Sequence, residues 1–115
     1  MASDWSKFSA ATQMVHGGTL RSQFGETSEA MYLTQGFVYD SAEAAEARFK
    51  GEEDGFIYSR YANPTNEMFE QRMCLLEGAE DARATASGMA AVNAALDALA
   101  ARLGTGRAEA ARGIL

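Results

Sequence analysis

The chain has 115 residues, of which 47% are hydrophobic and 23% charged, a size and composition that allow one small domain with a hydrophobic core. The net charge of −6 argues against nucleic acid as a partner, and no apolar run approaches the ~20 residues of a membrane-spanning helix. A single Cys and a single His exclude an internal disulfide and leave too few ligands for a zinc site, so we predict no metal site.

Residues 1–40 mix Gly, Ser, Thr and isolated aromatic residues without sustained periodicity, which predicts an extended N-terminal arm of irregular backbone. An arm of this kind needs another surface to lie on. The first residues include Asp4 and lack the apolar region of a secretory signal, and this favours a cytoplasmic protein.

The first predicted helix covers Ala42 to Lys50, a stretch rich in Ala and Glu, which have high helix propensity. Asp40 and Glu43 match a capping pair at its start. Gly51 follows directly, and glycine is the residue that most often ends a helix.

A second helix is predicted to begin near Asn66, because Pro64 suits the edge of a helix and Thr65 is available as a cap. Gly78 is predicted to end it. The apolar residues that repeat at helical spacing are Phe69, Met73, Leu75 and Leu76.

The small residues of Ala82–Ala86 predict a short buried strand, since the segment between Gly78 and Gly88 is too short for another helix. A third helix is predicted from Met89 until Gly104. Its apolar face consists of Met89, Val92, Leu96, Leu99 and Leu103.

This arrangement places Ser87, Gly88 and Met89 on a turn between a strand and a helix, where backbone N–H groups and the helix dipole favour an anion. Arg60 could add a bidentate contact to a phosphate, and Tyr58 a hydroxyl donor. Alternatively, the turn serves only as a helix cap, while Arg60 forms a surface ion pair and Tyr58 packs as an aromatic ring.

Three motifs, in this order and spacing, resemble the N-terminal part of the cystathionine gamma-synthase family of pyridoxal phosphate (PLP) enzymes: Tyr58–Thr65, Leu76–Glu80 and Ser87–Ala91. Three further segments are most similar to the O-succinylhomoserine sulfhydrylase branch of that family: Gly18–Ser22, Phe24–Glu29 and Leu33–Ser41. The resemblance extends from about residue 12 to about residue 97.

The resemblance implies an α/β fold, namely that of the fold type I PLP-dependent transferases, which are like aspartate aminotransferase. The chain would represent its N-terminal arm (1–40) and the start of its large PLP-binding domain (41–103). Residues 104–115 form an atypical tail.

The resemblance also implies γ-replacement on an amino-acid substrate: sulfide displaces succinate from O-succinylhomoserine and yields homocysteine, in trans-sulfuration and methionine biosynthesis. PLP would be held by Ser87, by the Gly88 and Met89 N–H groups, and by Tyr58 and Arg60 of the neighbouring subunit. Self-association into a dimer or tetramer follows. Two alternatives stay open, which are a cystathionine gamma-synthase or methionine gamma-lyase activity, and a non-catalytic binding or oligomerisation fragment.

The chain departs from the family in one important respect. Its only lysines are Lys7 and Lys50, both upstream of the motifs, so the Schiff-base lysine of the family and its other catalytic residues cannot be assigned. The tail after Gly104 is rich in Ala, Arg and Gly and loses the family pattern. We therefore interpret the chain as a truncated or frame-shifted homologue, inactive alone, whose last helix lacks its natural packing partner.

Overall fold

The computed structural model describes residues 4–104, and the regular secondary structure within them is almost all helical. A 3-10 turn at Trp5–Lys7 precedes four helices: α1 (Ala10–His16), α2 (Ala42–Lys50), α3 (Pro64–Glu77) and α4 (Gly88–Leu103). Between residues 4 and 104 the only β-type pairing is one antiparallel bridge between Gly36 and Tyr58. No helix in this range is both long and apolar enough to cross a membrane.

The chain divides into two compact units, a first that ends at Ala82 and a second that begins at Arg83. The first holds α1, α2 and α3, and the second holds α4. The predicted boundaries at residues 40/41 and 103/104 lie elsewhere, because they separate the N-terminal arm, the large domain and the tail of the family. Those boundaries stay a prediction. Most of the predicted tail, residues 105–115, lies outside the described residues.

The predicted N-terminal arm contains a helix, so the expectation of irregular backbone is wrong for Ala10–His16. Ser9 caps this helix by accepting a hydrogen bond from Thr12 N–H at 3.3 Å. Helix α1 is only two turns long and carries no clear apolar stripe, so its own sequence does not indicate a helix. Its contact with α3 stabilises it instead. Much of the remaining arm, residues 19–40, has no regular secondary structure.

Helix α2 has the bounds that the sequence predicts, but its cap is Ser41 and not Asp40. The Ser41 Oγ accepts a hydrogen bond from Ala44 N–H at 3.1 Å. Glu43 lies in the first turn, where hydrogen bonds from its own backbone N–H and from the Ser41 hydroxyl lower the pKa of its carboxyl. Gly51 ends the helix in the left-handed conformation, as predicted.

Helix α3 begins two residues earlier than predicted, at Pro64, and its cap is Asn63 and not Thr65. Proline is favoured at the first helical position, because its missing N–H would have no partner there. The predicted apolar face is also corrected: Met68 is only 2% exposed, whereas Phe69 is 53% exposed. The core of this unit therefore centres on Met68, and Gly78 ends the helix as predicted.

The predicted strand at Ala82–Ala86 is absent from the structure, which has no regular secondary structure there. A strand exists only through hydrogen bonds to neighbouring strands. Helix α4 follows with Ser87 as its cap and Gly104 as its terminating residue, as predicted. On its apolar face Met89, Val92, Leu99 and Leu103 are between 50% and 69% exposed. The face thus lies largely open in this structure.

Arg72 of α3 holds the chain that follows α1. Its guanidinium donates to the Gly17 carbonyl at 3.2 Å, to the Thr19 hydroxyl at 3.4 Å and to the Glu29 carboxylate at 2.5 Å. The Arg72 side chain is 17% exposed and that of Glu29 38%. One partly buried arginine therefore fixes three points of the N-terminal segment, and the Arg72 hydrogen bond lowers the pKa of the Glu29 carboxyl.

This ion pair predicts a loss of stability in acid. Because the pKa of Glu29 in the folded chain lies below its ordinary 4.5, its stabilising contribution is complete above that pH and disappears as the pH falls further. We expect the urea midpoint of the chain to decrease below about pH 4.5, and to decrease less steeply in Glu29→Gln. Glu46→Gln, which breaks the exposed Glu46–Lys50 pair, is the matched control. Identical pH curves for wild type and Glu29→Gln would contradict the prediction.

Candidate functional site

The residues predicted to bind a phosphate fall into two groups, one in each unit. Tyr58 and Arg60 lie in the first unit, directly before α3, and Ser87, Gly88 and Met89 lie in the second, at the start of α4.

Tyr58 and Arg60 lie in a tight turn, in which the N–H groups of Tyr61 and Ala62 both donate to the Tyr58 carbonyl, at 2.9 and 3.2 Å. The turn places the Arg60 Cζ 5.7 Å from the Tyr58 ring centroid and 5.4 Å from that of Tyr61. The two rings meet edge to face with centroids 6.4 Å apart. The structure therefore brings together two of the predicted site residues.

This cluster is suited to an anion. Arg60, Tyr58 and Tyr61 are all exposed, so a ligand can reach them. Contact with the two rings restricts where the guanidinium lies, and its planar fork of N–H donors matches two phosphate oxygens. The sequence patterns alone do not single out Tyr61. Its signal is its position three residues after Tyr58, which a turn brings onto the same side.

The start of α4 has the geometry of a helix N-terminus that can accept an anion. The Ser87 Oγ accepts from Ala90 N–H at 3.2 Å, and the first intrahelical bond runs from Ala91 N–H to the Ser87 carbonyl at 3.2 Å. The N–H groups of Gly88 and Met89 precede that bond and point out of the helix end. Ser87 acts here as the cap, while Gly88 and Met89 present the donors.

Gly88 leaves space in front of these donors. A Cβ atom placed on it would meet no heavy atom of the described chain within 4 Å. Met89 is exposed as well, so the helix end is accessible. The positive end of the helix dipole adds to the attraction for a negative group. The residues present therefore fit the phosphate group of a cofactor such as PLP.

Comparison with known proteins identifies the family. Residues 11–106 match the model of the Cys/Met metabolism PLP-dependent enzymes. The chain belongs to this family. PLP is the cofactor of the family, and its fold is that of the fold type I enzymes, of which the described residues represent the N-terminal part.

Two curated relatives and one solved structure show how close the match is. An O-succinylhomoserine sulfhydrylase of Mycobacterium tuberculosis is 59% identical over 107 residues, which are 92% of this chain and 26% of the relative. An L-methionine gamma-lyase of Porphyromonas gingivalis is 42% identical over 86 residues, 75% of this chain and 22% of the relative. The chain thus spans about a quarter of the length of the curated relatives it matches.

The solved structure is that of a protein described as an O-acetylhomoserine (thiol)-lyase of Campylobacter jejuni, which contains pyridoxyl-lysine monophosphate. It is 33% identical and superimposes with a TM-score of 0.69 over 73% of this chain and 21% of the other. The resemblance inferred from the sequence motifs is confirmed at the level of family, fold and cofactor.

Proposed function

We propose that this chain is the cofactor-phosphate-binding part of a PLP-dependent O-succinylhomoserine sulfhydrylase, a cytoplasmic enzyme that uses sulfide to form homocysteine in methionine biosynthesis. The observation that carries the proposal is the 59% identity to the sulfhydrylase of M. tuberculosis, against 42% to the methionine gamma-lyase of P. gingivalis. When bound, PLP supplies an electron sink that allows replacement at the γ-carbon of the substrate.

In this proposal the Gly88 and Met89 N–H groups donate to the cofactor phosphate, and Ser87 holds the helix start that aims them. Tyr58 and Arg60 of the neighbouring subunit donate to the same phosphate. Support comes from the open N-terminus of α4 and from the exposed cluster of Arg60 with two tyrosines. A site built in this way requires at least a dimer.

The alternative is that the 115-residue chain serves only as a binding or oligomerisation fragment. Its two lysines are Lys7, paired with Asp4 at 3.1 Å, and Lys50, paired with Glu46 at 2.5 Å. Both precede the proposed phosphate-binding residues in sequence. We expect the isolated chain to form no site-specific borohydride-stable pyridoxyl adduct and to turn over no O-succinylhomoserine; activity of the isolated chain would contradict this expectation.

Two chimeras test the proposal. In the sulfhydrylase chimera, residues 1–104 replace the matching segment of the M. tuberculosis relative; in the lyase chimera, they replace that of the P. gingivalis relative. We expect the sulfhydrylase chimera to retain PLP and to convert O-succinylhomoserine and sulfide, and the lyase chimera to lose most of its activity. If the lyase chimera retains more of its activity than the sulfhydrylase chimera, the chain is assigned to the methionine gamma-lyase activity.

Arg60→Ala in the sulfhydrylase chimera is expected to weaken PLP binding about tenfold, because a charge-assisted hydrogen bond to the phosphate is lost. The dissociation constant is measured by equilibrium dialysis with PLP. Arg102→Ala, which removes an exposed arginine of α4, is the matched control and should have no effect. If Arg60→Ala leaves the affinity for PLP unchanged, Arg60 is an ordinary surface charge with no role at the phosphate.

Mixing two defective chimeras tests whether the site is shared between subunits. In a mixed dimer of Arg60→Ala and Gly88→Val subunits, one site carries both changes and the other carries neither. Random mixing should therefore restore about a quarter of the wild-type sites. Failure to recover any PLP binding on mixing would place all of these residues in a site within one subunit.

A further inference from the structure

Asn63 stands out because of where its polar side chain lies. It is 7% exposed, and it is the one buried polar side chain among residues 4–104. Burial of an amide is costly unless each donor and acceptor finds a partner. The partners of Asn63 therefore indicate what this position requires.

The Asn63 amide is satisfied on both sides. Its Nδ2 donates to the Tyr32 carbonyl at 3.0 Å and to the Ser59 Oγ at 2.9 Å, and its Oδ1 accepts from Thr65 N–H at 2.8 Å. The two donated bonds use both hydrogens of the amide group. Only the accepted bond is a helix cap, so capping of α3 explains one of these three hydrogen bonds.

The donated bonds reach the turn that carries Tyr58 and Arg60. The Ser59 hydroxyl, which accepts from Asn63, donates to the Thr34 carbonyl, and Ser59 N–H donates to the Gln35 carbonyl at 2.8 Å. Thr65 Oγ1 accepts from Tyr32 N–H at 2.9 Å. Asn63 thereby joins the residue between Tyr58 and Arg60 to the segment 32–35 and to the first turn of α3.

We propose that Asn63 is a positioning residue, which holds the Tyr58–Tyr61 turn so that Tyr58 and Arg60 face the cofactor phosphate. This proposal rests on the proposed function. Asn63 does not itself contact the phosphate; it acts through Ser59. An amide is required here because the position needs two donors toward Tyr32 and Ser59 and one acceptor toward α3.

Asn63→Asp separates positioning from capping. Aspartate keeps an oxygen that accepts from Thr65 N–H and is an equally good cap, but it has no donor for Tyr32 or Ser59. In the sulfhydrylase chimera we expect about tenfold weaker PLP binding. Ser41→Ala, which removes the cap of α2, is the matched control and should leave PLP affinity unchanged. Ser59→Ala, which removes the hydroxyl that links Asn63 to the turn, should weaken PLP binding in the same way as Asn63→Asp.

Amide hydrogen exchange gives a readout that needs no cofactor. In the 115-residue chain we expect the Ser59 and Tyr61 amides to exchange at least about tenfold faster in Asn63→Asp than in wild type. The amides of α2 report on general loosening and should be unaffected. Equal exchange rates in the turn would overturn the proposal, as would faster exchange throughout the chain.

A double-mutant cycle decides whether Asn63 acts through Arg60. If it does, Asn63→Asp should add little to the loss already caused by Arg60→Ala, whereas independent effects would multiply. Two outcomes would overturn the role of Asn63 but not that of Arg60. In the first, the losses of PLP affinity in the two variants multiply; in the second, Asn63→Asp keeps wild-type affinity while Arg60→Ala binds PLP more weakly. Unchanged affinity in Arg60→Ala would overturn the proposed role of Arg60 at the phosphate, and the role of Asn63 with it.

Discussion

Gly88→Val in the sulfhydrylase chimera is expected to weaken PLP binding about 100-fold, a loss of about 2.7 kcal/mol, without unfolding the protein. A Cβ at this position meets no heavy atom within 4 Å outside its chain neighbours and its own helix backbone, so we expect no clash with the rest of the chain. The added side chain obstructs the ligand and not the protein. A branched side chain would occupy the space through which a phosphate approaches the Gly88 and Met89 N–H groups.

Controls separate this effect from helix propensity. Ala98→Val introduces the same side chain at an exposed position of α4, where it costs well under about 1 kcal/mol of helix stability. PLP affinity should be unchanged in that variant and intermediate in Gly88→Ala. Equilibrium dialysis gives the affinity, and thermal unfolding of the apoprotein gives the stability. Wild-type affinity in Gly88→Val would exclude the start of α4 as the phosphate site.

The second large effect concerns folding, because Gly18 packs directly on α3. Gly18 has a φ of +72°, and a Cβ on it would lie 2.8 Å from the Gln71 Cβ and 3.2 Å from the Met68 carbonyl oxygen. Two penalties therefore combine, a left-handed backbone that L-residues avoid and overlap with the Gln71 Cβ on α3. We expect Gly18→Ala to destabilise the chain by about 3 to 4 kcal/mol.

Urea unfolding, followed by circular dichroism and by the fluorescence of Trp5, measures this change. Gly25→Ala is the matched control, since Gly25 has a φ of +64° but no heavy atom within 4 Å of its added Cβ. It should cost only about 1 to 2 kcal/mol, the penalty of the backbone conformation alone. Equal losses in Gly18→Ala and Gly25→Ala would mean that packing against α3 contributes nothing.

Several features of this protein could be predicted from local sequence. The ends of α2, α3 and α4 coincide with Gly51, Gly78 and Gly104, and the apolar spacing along α4 predicts a helix that the structure contains. Both follow from short-range rules, namely helical periodicity and the conformational freedom of glycine. The order of the motifs likewise predicts the family that the comparisons identify.

Tertiary structure decided the rest, because each of these features depends on a contact with a segment that is far away in sequence. Met68 and not Phe69 is buried because α1 packs on α3, and a pattern within α3 carries no information about the position of α1. The turn with Tyr58 and Arg60 is held because Asn63 Nδ2 donates both to the Ser59 Oγ and to the carbonyl of Tyr32, which is far away in sequence. Ala82–Ala86 forms no strand, since a strand depends on partners that its own residues do not encode. The sequence by itself determined α2, α3, α4 and the family, while contacts between distant segments determined that α1 forms, which side chains are buried and where Tyr58 and Arg60 are held.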